Sequence, residues 1–353
     1  MSATSCDHRL AASADRATRV AKVLGLCIGM SALAGCAVGL GQRSGAPAFA
    51  APAVLATIPS GEGPTLLALS ADGTRLYAAA NSQLSVVSTA DQNVVATVAT
   101  QPYPAGLALA PDGTRAFLSA IFSVQLLTVD TVMNTVGTPI ELFASFARGG
   151  FGRIALTPDG KTGYVVNTPN QVIAVVDLVK GQTTSLTMDM QPIDIAVAPD
   201  GRRLYVVGCK NFCATGTIEV LDAASQRVTS AIAVGSRPYR IVLSPDGARA
   251  YTSNIGSPSV SVVDLASRSA TAAITVPVQP TGLAVSRDGT RIYVASQPTG
   301  TITVIDAATN VVRTTVKVAN DVREVVVTPD GKRLYVSTMR SVLALDARLL
   351  SGS

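Results

Sequence analysis

Four charged residues occupy one position of a sequence repeat, and they carry most of the chemistry that this chain could perform. Arg153, Asp194, Arg240 and Glu324 each lie six residues before the Asp of an Asp-Gly pair, and Arg323 adjoins the last of them. Arginine guanidinium groups bind carboxylates and phosphates through paired, charge-assisted hydrogen bonds. The pattern therefore suggests a site for a small anion, which Asp194 and Glu324 would orient. Mutual ion pairing among the side chains is the alternative.

Imidazole chemistry is excluded for most of the chain, because its one histidine is His8. The residues downstream therefore cannot form a Ser-His-Asp triad or bind haem through an imidazole. A hydrolase could still use a divalent cation and water, held by Asp194, Glu324 or Asp321. Those carboxylates would have to converge within about 5 Å of one point. We expect a binding protein without metal or cofactor, and the metal-assisted hydrolase is the alternative.

The elements that position these residues are marked by seven Asp-Gly pairs, spaced 40 to 47 residues apart. Five pairs read Pro-Asp-Gly, in which Pro fixes φ at the second position of a type I turn and Gly accepts a positive φ. The seven residues are Asp72, Asp112, Asp159, Asp200, Asp246, Asp288 and Asp330. Each pair predicts a turn between two antiparallel strands.

Short apolar runs surround each turn and predict four strands per unit. An aromatic residue follows each Asp by five positions: Tyr77, Phe117, Tyr164, Tyr205, Tyr251, Tyr293 and Tyr335. The third run ends in Asp in most units, as at Asp264 and Asp306, where a carboxylate can bond the backbone of the next turn. Repeated units of four short strands are typical of propeller blades.

The two ends of the repeat array complement each other. The seventh unit stops after its third strand, at residues 342–346, and an additional strand at 54–58 precedes the first unit. Pairing the two would close the ring and remove an open sheet edge. We predict an all-β fold, a seven-bladed β-propeller over residues 53–353, closed by an N-terminal strand that completes the last blade.

The second strands carry a recognisable motif. Tyr164–Asn167 reads Tyr-Val-Val-Asn and Tyr251–Asn254 reads Tyr-Thr-Ser-Asn, after Pro-Asp-Gly turns and before Val-x-Val-x-Asp strands. This pattern resembles the YVTN-type β-propeller repeat across all seven units. The resemblance implies a bacterial or archaeal surface or periplasmic protein, with an architecture similar to lactonases and to cofactor-bearing periplasmic propellers. It implies the fold more strongly than any activity.

Strand direction assigns the loops to two faces. The Asp-Gly turns lie on one face, here called the turn face; the loops between second and third strands and the blade-to-blade crossings lie on the other, the top face. Seven aromatic residues outside the repeated position fall in or beside top-face connections: Tyr103, Phe122, Phe143, Phe146, Phe151, Phe212 and Tyr239. They predict an exposed recognition surface, on which Phe146 and Phe151 should be accessible. Packing between blades is the alternative.

The first 52 residues predict export. Arg16, Arg19 and Lys22 precede an apolar run that is suited to a secretory signal. Leu33–Cys36 resembles a lipobox, which gives a lipoprotein signal peptide at 1–35, lipidation at Cys36 and a flexible linker at 36–52. Cleavage after Ala50 is the alternative. The expected location is the periplasm or cell surface, with membrane attachment through the lipid only.

Cys209 and Cys213 are the two cysteines that remain after the leader and Cys36. In an oxidising compartment a pair four residues apart predicts a local disulfide. A zinc site would lack further Cys or His ligands. We therefore expect this pair to stiffen a top-face loop.

Composition restricts the class of partner. Hydrophobic residues make up 48% of the chain and charged residues only 14%. Lys and Arg are not clustered in the repeats, so a surface that follows nucleic-acid phosphates has little support, although the top aromatics could stack single-stranded bases. The expected protein is a monomer that binds a protein, a glycan or a small anionic ligand on the top face.

Overall fold

A computed structural model describes residues 54–61, 63–142, 150–210 and 213–350. The predicted signal peptide, the linker, Cys36 and Phe146 lie outside these ranges. Within them the chain is all-β, and none of these residues belongs to a helix long and apolar enough to cross a membrane.

The strands group into seven sheets, numbered here as blades in chain order. Blade 1 contains β2 (Leu66–Leu69), β3 (Arg75–Ala80), β4 (Gln83–Ser88) and β5 (Val94–Ala99). Blade 2 contains β6 (Pro104–Leu109), β7 (Arg115–Ala120), β8 (Gln125–Asp130), β9 (Thr135–Val136) and β10 (Ile140–Glu141). Blade 3 contains β11 (Phe151–Leu156), β12 (Thr162–Asn167), β13 (Val172–Asp177) and β14 (Gln182–Thr187).

The remaining blades complete the ring. Blade 4 contains β15 (Gln191–Val197), β16 (Arg203–Cys209), β17 (Gly216–Asp222) and β18 (Val228–Val234). Blade 5 contains β19 (Pro238–Leu243), β20 (Arg249–Asn254), β21 (Ser259–Asp264) and β22 (Ser269–Thr275). Blade 6 contains β23 (Pro280–Val285), β24 (Arg291–Ser296), β25 (Thr301–Asp306) and β26 (Val311–Lys317). Blade 7 contains β27 (Val325–Val327), β28 (Arg333–Ser337), β29 (Val342–Asp346) and β1 (Val54–Ile58).

The predicted closure is confirmed. β1 pairs antiparallel with β29, with Ile58 opposite Val342 and Ala56 opposite Ala344. Strand β1 is thereby the outermost strand of blade 7, in the order β1-β29-β28-β27. The first and last strands of the described chain are paired with each other, so β29 has a hydrogen-bonded neighbour on both sides.

The repeated aromatic residues form the core between blades. All seven are buried, with exposures of 0–3%. Each packs with β-branched and leucine side chains of its own and a neighbouring blade, as Tyr77 does with Val86 of blade 1 and Leu118 of blade 2. Burial also raises the pKa values of several of these phenols: Tyr77, Tyr164, Tyr251 and Tyr293. The repeat therefore encodes the packing between sheets as well as the strands.

The Asp-Gly turns have the predicted conformation. The glycine of every turn has a φ of 68–72°, which suits glycine. In five of the seven turns this glycine lies close enough to the turn proline of the preceding blade that an added Cβ would contact it, at 2.7 Å for Gly73 and Pro329. Blades 1 and 6 carry Ala71 and Arg287 instead of proline, and the next turn glycine has no such contact. The turn face is thus a nearly complete ring of proline–glycine contacts.

Blade 2 departs from the predicted four-strand unit. Its outer strand is divided into β9 and β10, which both pair with β8. Between them lies Pro139, which has no N–H to donate to the sheet. Gly137 keeps the chain attached by donating its N–H to the Thr128 carbonyl at 2.8 Å. The prediction of four strands per unit is therefore wrong for this blade, which has five.

Candidate functional site on the top face

Five of the innermost strands begin with a register shift, which affects where the candidate residues point. The shift lies between Pro192 and Asp194 in blade 4 and between Pro238 and Arg240 in blade 5. Blade 3 shifts between Phe151 and Ile154, around Arg153. A β-bulge re-aims side chains and often lies beside functional sites. Here it accompanies Arg153, Asp194 and Arg240, whereas Glu324 directly precedes β27, which pairs with β28 without a shift.

The four repeat-position charges contact one another, and we call them the channel network. Arg153 of blade 3 donates from Nη1 to Glu324 Oε2 of blade 7 at 2.9 Å. Arg240 of blade 5 lies 3.1 Å from Glu324 Oε1 and 3.5 Å from Asp194 Oδ2 of blade 4. Blades 3 and 7 are not neighbours in the ring. The contacts therefore cross the channel mouth rather than only joining adjacent blades.

The network is held by backbone groups as well. Asp194 accepts the N–H of Ile195 at 2.9 Å and the N–H of Ile241, on the next blade, at 3.0 Å. Glu324 donates its own backbone N–H to Ser337 Oγ at 3.0 Å. The carboxylate side chains are almost inaccessible, at 3% for Asp194 and 1% for Glu324. Both acids are consequently fixed in position before any ligand arrives.

Charge compensation within the network is nearly complete. Burial disfavours a charged guanidinium, but the carboxylates of Glu324 and Asp194 outweigh this and raise the pKa of Arg153 above its ordinary value. Two arginines face two carboxylates, so the group is formally neutral. Ion pairing, the alternative to an anion site in the sequence analysis, is the arrangement that the structure shows. Whether an additional anion joins these arginines stays a prediction.

The hydrolase hypothesis required two or more carboxylates within about 5 Å of one point. Asp194 and Glu324 do converge, but the group between them is the guanidinium of Arg240, at 3.5 and 3.1 Å, and Asp321 lies 3.7 Å from Arg323. Within the described ranges, no three His, Cys, Asp or Glu side chains group as metal ligands would. Asp194 and Glu324 are therefore committed to arginine partners, and Asp321 has only the longer ion-pair contact with Arg323.

A cavity of about 440 Å³ opens on the top face over blades 7, 1 and 2, and we call it the blade 1 cavity. Its lining comes from crossings and from loops between second and third strands: Gly63, Thr65, Asn81, Tyr103, Pro104, Ile121, Arg323 and Met339. Binding cavities for small molecules have volumes of about 300–1,000 Å³ and are mostly apolar with a few polar groups. This cavity matches that description, and it includes two of the predicted site residues.

Tyr103 and Phe122 form an exposed aromatic pair at the edge of this cavity. Their rings meet edge to face, with centroids 5.5 Å apart, an arrangement that aromatic pairs prefer. Tyr103 is 54% exposed and Phe122 is 77% exposed. Ile121 and Met339 beside them are also exposed. These side chains form a contiguous apolar patch around the cavity, which is unusual on a surface that meets only water.

The crossing backbone explains how Tyr103 is presented. Its φ is +57°, and Arg237 and Gln279, which also precede a proline in a crossing, have φ values of +47° and +51°. In each case the carbonyl accepts an N–H from the loop after the second strand, such as Ile121 N–H to Tyr103 at 3.1 Å. This conformation belongs to the crossing itself. Blade 2 differs from blades 5 and 6 in placing an aromatic side chain there.

Arg323 lines the same cavity from the opposite side. Its backbone is fixed because its N–H donates to the Ser337 carbonyl at 3.0 Å and its carbonyl accepts Thr281 Oγ1 at 2.9 Å. Its Nε lies 3.7 Å from Asp321 Oδ2, which is beyond hydrogen-bonding distance. Among the described residues, no acceptor forms a hydrogen bond with its guanidinium. Arg323 therefore brings a partly exposed positive charge to the cavity.

The other predicted aromatic residues have different environments. Phe151, expected to be exposed, is completely buried and packs with Phe117, Leu126 and Leu142 between blades 2 and 3. The expectation was wrong because Phe151 begins β11 and faces the blade interface. Tyr239 is 36% exposed and lies near enough to Arg153 to affect its pKa, so it belongs beside the channel network. Phe143, Phe146 and Phe212 lie outside the described residues.

Sequence reasoning missed Ile121 and Met339 as cavity residues. The available signal was a comparison of equivalent loops: blade 2 has Ile121 and Phe122 directly after its second strand, where blades 3 and 6 have Thr168 and Gln297. Blade 5 also has an isoleucine at that position, Ile255, so the distinguishing residue of blade 2 is Phe122, which follows Ile121. The sequence alone did not show that the loops of blades 7, 1 and 2 meet.

The cysteine pair lies beside the crossing that leads to Tyr239. Cys209 and Cys213 are at disulfide distance, with Cα atoms 4.9 Å apart. The Cys213 carbonyl accepts the N–H of Arg237 at 3.2 Å. The loop of blade 4 thus supports the crossing to blade 5, close to the channel network and away from the blade 1 cavity.

The turn face has a cavity too, of about 430 Å³, lined by Asp72, Arg287, Asp330, Arg333 and neighbouring turn residues. Its acids serve the turns. Asp72 accepts Ser70 Oγ at 2.6 Å and the N–H of Thr74 at 3.0 Å, and Asp330 accepts Thr328 Oγ1 at 2.6 Å. Arg333 donates to the Thr89 carbonyl of the next blade. The third-strand acids, such as Asp264, likewise accept N–H groups of the following turn, at 2.7 Å from Ser267, as predicted.

Comparisons with known proteins agree with the fold. No family model matches the chain, and no curated protein sequence matches it. Among solved structures, a chain described as Kuenenia stuttgartiensis hydrazine synthase is similar, with a TM-score of 0.71 and 19% identity. The match covers 87% of this chain and 99% of that chain. At this level of identity the likeness shows the β-propeller fold alone.

Proposed function

We propose that this protein is an exported, non-catalytic binding protein of the bacterial cell envelope, with its ligand site at the blade 1 cavity. The observation that carries the proposal is the cavity itself, surrounded by exposed Tyr103, Phe122 and Met339. Exposed aromatic and methionine side chains are enriched at recognition surfaces. Their concentration around one cavity favours a binding role there.

The non-catalytic part of the proposal is supported by the condition of the charged residues. Acids and bases in catalysis must exchange protons or bind a reacting group. Asp194 and Glu324 are buried against arginine side chains. Glu324 forms an ion pair with Arg153, and Asp194 forms one with Arg240 and accepts the N–H of Ile241. No contact among the described residues favours the hydrolase or the single-stranded nucleic-acid alternative.

Binding of a neutral apolar fluorophore, N-phenyl-naphthylamine, tests the site. We expect saturable fluorescence enhancement with the wild-type protein, because the cavity wall is largely apolar. Tyr103→Ser and Phe122→Ser should each weaken binding and raise the dissociation constant at least fivefold. Val311→Ser, on the outer strand β26, removes a similarly exposed apolar side chain elsewhere and should leave binding unchanged. Non-saturable binding, or equal loss in all three variants, would refute the site.

Export and lipidation are the second part of the proposal. They are supported by the sequence of residues 1–52, which have the order of a signal peptide, lipobox and linker. Expression of the full chain in a bacterial host with radiolabelled palmitate should label the wild type. Cys36→Ala should lose the label. A wild-type protein that stays unlabelled but begins at Ala51 by mass spectrometry would replace the lipoprotein with a soluble periplasmic protein.

A further inference from the structure

We infer that the blade 1 cavity binds a small, free amphiphile with one carboxylate group, which Arg323 recognises. This inference rests on the proposed binding function and specifies its ligand. The cavity combines an apolar wall with a single positive charge among its described lining residues. A ligand that matches both features has an apolar body and one negatively charged end.

The apolar wall determines the body of the ligand. Tyr103, Pro104, Ile121 and Met339 present ring, methylene and thioether surfaces to the cavity. Methionine adapts to ligands of different shape because its side chain is unbranched and flexible. A glycan would need several hydrogen-bonding partners, whereas Asn81, Thr65 and the Tyr103 hydroxyl are the only uncharged hydrogen-bonding side-chain groups among the described lining residues. An alkyl or aryl body suits this wall better.

Arg323 determines the charged end. Its guanidinium has one ion-pair contact, with Asp321, and no hydrogen bond among the described residues, whereas those of Arg153 and Arg240 contact buried carboxylates at 2.9–3.5 Å. Asp321 is too distant to form a hydrogen bond with Arg323 Nε, at 3.7 Å. A planar guanidinium presents paired donors that match the two oxygens of a carboxylate. The part of the cavity that Arg323 lines is therefore suited to a carboxylate.

The position of Arg323 is also predetermined. Its N–H and carbonyl are both hydrogen-bonded, to Ser337 and Thr281, so the crossing between blades 6 and 7 is fixed on either side of the side chain. The adjacent Glu324 is anchored in the channel network. A fixed backbone reduces the ordering that binding must impose. Arg323 can thus select a ligand by its charge without a rearrangement of the blade.

The test compares two ligands of equal chain length, decanoate and decanol, by isothermal titration calorimetry. Decanoate should bind at least tenfold more tightly than decanol, as a charge-assisted hydrogen bond predicts. Arg323→Gln should reduce this ratio to about one and leave decanol binding unchanged. Arg323→Lys should retain part of the preference because the charge remains. Thermal unfolding of each variant verifies that the propeller is folded.

Arg340→Gln is the matched control. Arg340 is exposed in the loop of blade 7 that also carries Met339, and it does not line the cavity. The variant lowers the net charge by the same amount as Arg323→Gln does and should preserve the decanoate preference. If it abolishes the preference as Arg323→Gln does, general surface charge explains the effect and the inference is wrong.

The remaining outcomes separate this inference from the proposed function. Saturable binding of decanol and N-phenyl-naphthylamine without a decanoate preference would overturn the carboxylate inference and leave the binding site in place. Failure of all three compounds to bind would overturn both. A decanoate preference that survives Arg323→Gln would assign the anion to another residue and refute the role of Arg323.

Discussion

The top face has two regions whose arginine side chains differ in burial and in pairing with acids. In the channel network, Arg153 and Arg240 are mostly buried and their charges are compensated by Asp194 and Glu324. In the blade 1 cavity, Arg323 is partly exposed, shares a largely apolar lining, and has one acid, Asp321, at 3.7 Å. Buried ion pairs lose much of their attraction to desolvation and chiefly fix geometry. A partly exposed, weakly paired charge keeps its capacity to bind a ligand.

The difference originates at one repeat position. Blades 3, 4, 5 and 7 place a charged residue at the start of the inner strand, whereas blades 1, 2 and 6 have Leu66, Gly106 and Gly282 there. Gly106 is tightly enclosed, since an added Cβ would lie 2.4 Å from the Gly152 carbonyl. Blade 2 therefore has no room for a charged side chain at this position, and blade 1 fills it with the buried Leu66.

The largest expected effect is that of Glu324→Gln. It removes the acid shared by Arg153 and Arg240 and leaves two guanidinium groups without their main counter-charge. Breaking a buried ion pair from one side costs about 3–5 kcal/mol. Urea unfolding should show this loss in the free energy of unfolding. Glu141→Gln, at an exposed acid, should change it by less than about 0.5 kcal/mol. Equal effects would contradict the distinct status of the network.

The second-largest expected effect is the destabilisation of the turn face by acid. Hydrogen bonds from hydroxyl, backbone N–H or arginine donors lower the pKa values of Asp72, Asp112, Asp159, Asp177, Asp222, Asp246, Asp264, Asp288, Asp306, Asp330 and Asp346. The pKa of Asp346 is lowered to about 2. Because these folded-state values lie below the unfolded ones, their stabilisation is complete above about pH 4 and is lost as pH falls toward 2.

The urea midpoint measured at a series of pH values checks this expectation. It should stay level from neutral pH to about pH 5 and fall steeply below about pH 4. Asp159→Asn and Asp264→Asn should each flatten the fall slightly, because each removes one titrating turn acid. A midpoint that does not change between about pH 5 and pH 3 would contradict the linkage.

A smaller effect of opposite sign is expected at Glu219. This residue lies in the third strand of blade 4, is 5% exposed, and its Oε2 has no hydrogen-bond partner. Burial raises its pKa, opposed by Lys210. Glu219→Gln should stabilise the protein by about 1 kcal/mol at neutral pH, because it removes a buried charge. Destabilisation in urea unfolding would show that Glu219 has a partner of the kind that Glu324 has.

The smallest effect on stability belongs to the cavity. Tyr103→Ser removes a side chain that is half exposed, so the free energy of unfolding should change by less than about 1 kcal/mol. Its loss should appear in binding instead. If thermal unfolding showed a penalty comparable to that of Glu324→Gln, Tyr103 would be a packing residue and the two regions would not differ in kind.

The fold could be predicted from the sequence because every blade has the same turn and core residues at the same spacing. The Asp-Gly turns, the aromatic five residues later and the strand at 54–58 all have the predicted roles. The site was less predictable because it depends on contacts between blades far apart in sequence. Arg153 and Glu324 are separated by 171 residues, and no spacing indicates that they meet. Phe151 misled because a loop-flanking aromatic can also begin a strand.

The pairing of β1 also decides from which side the chain enters the ring. Val54 lies opposite Leu345, near the turn face, and Ile58 lies opposite Val342, near the top. The strand therefore runs upward along the outer rim of blade 7. Val54 therefore lies on the face of the propeller opposite the mouth of the blade 1 cavity.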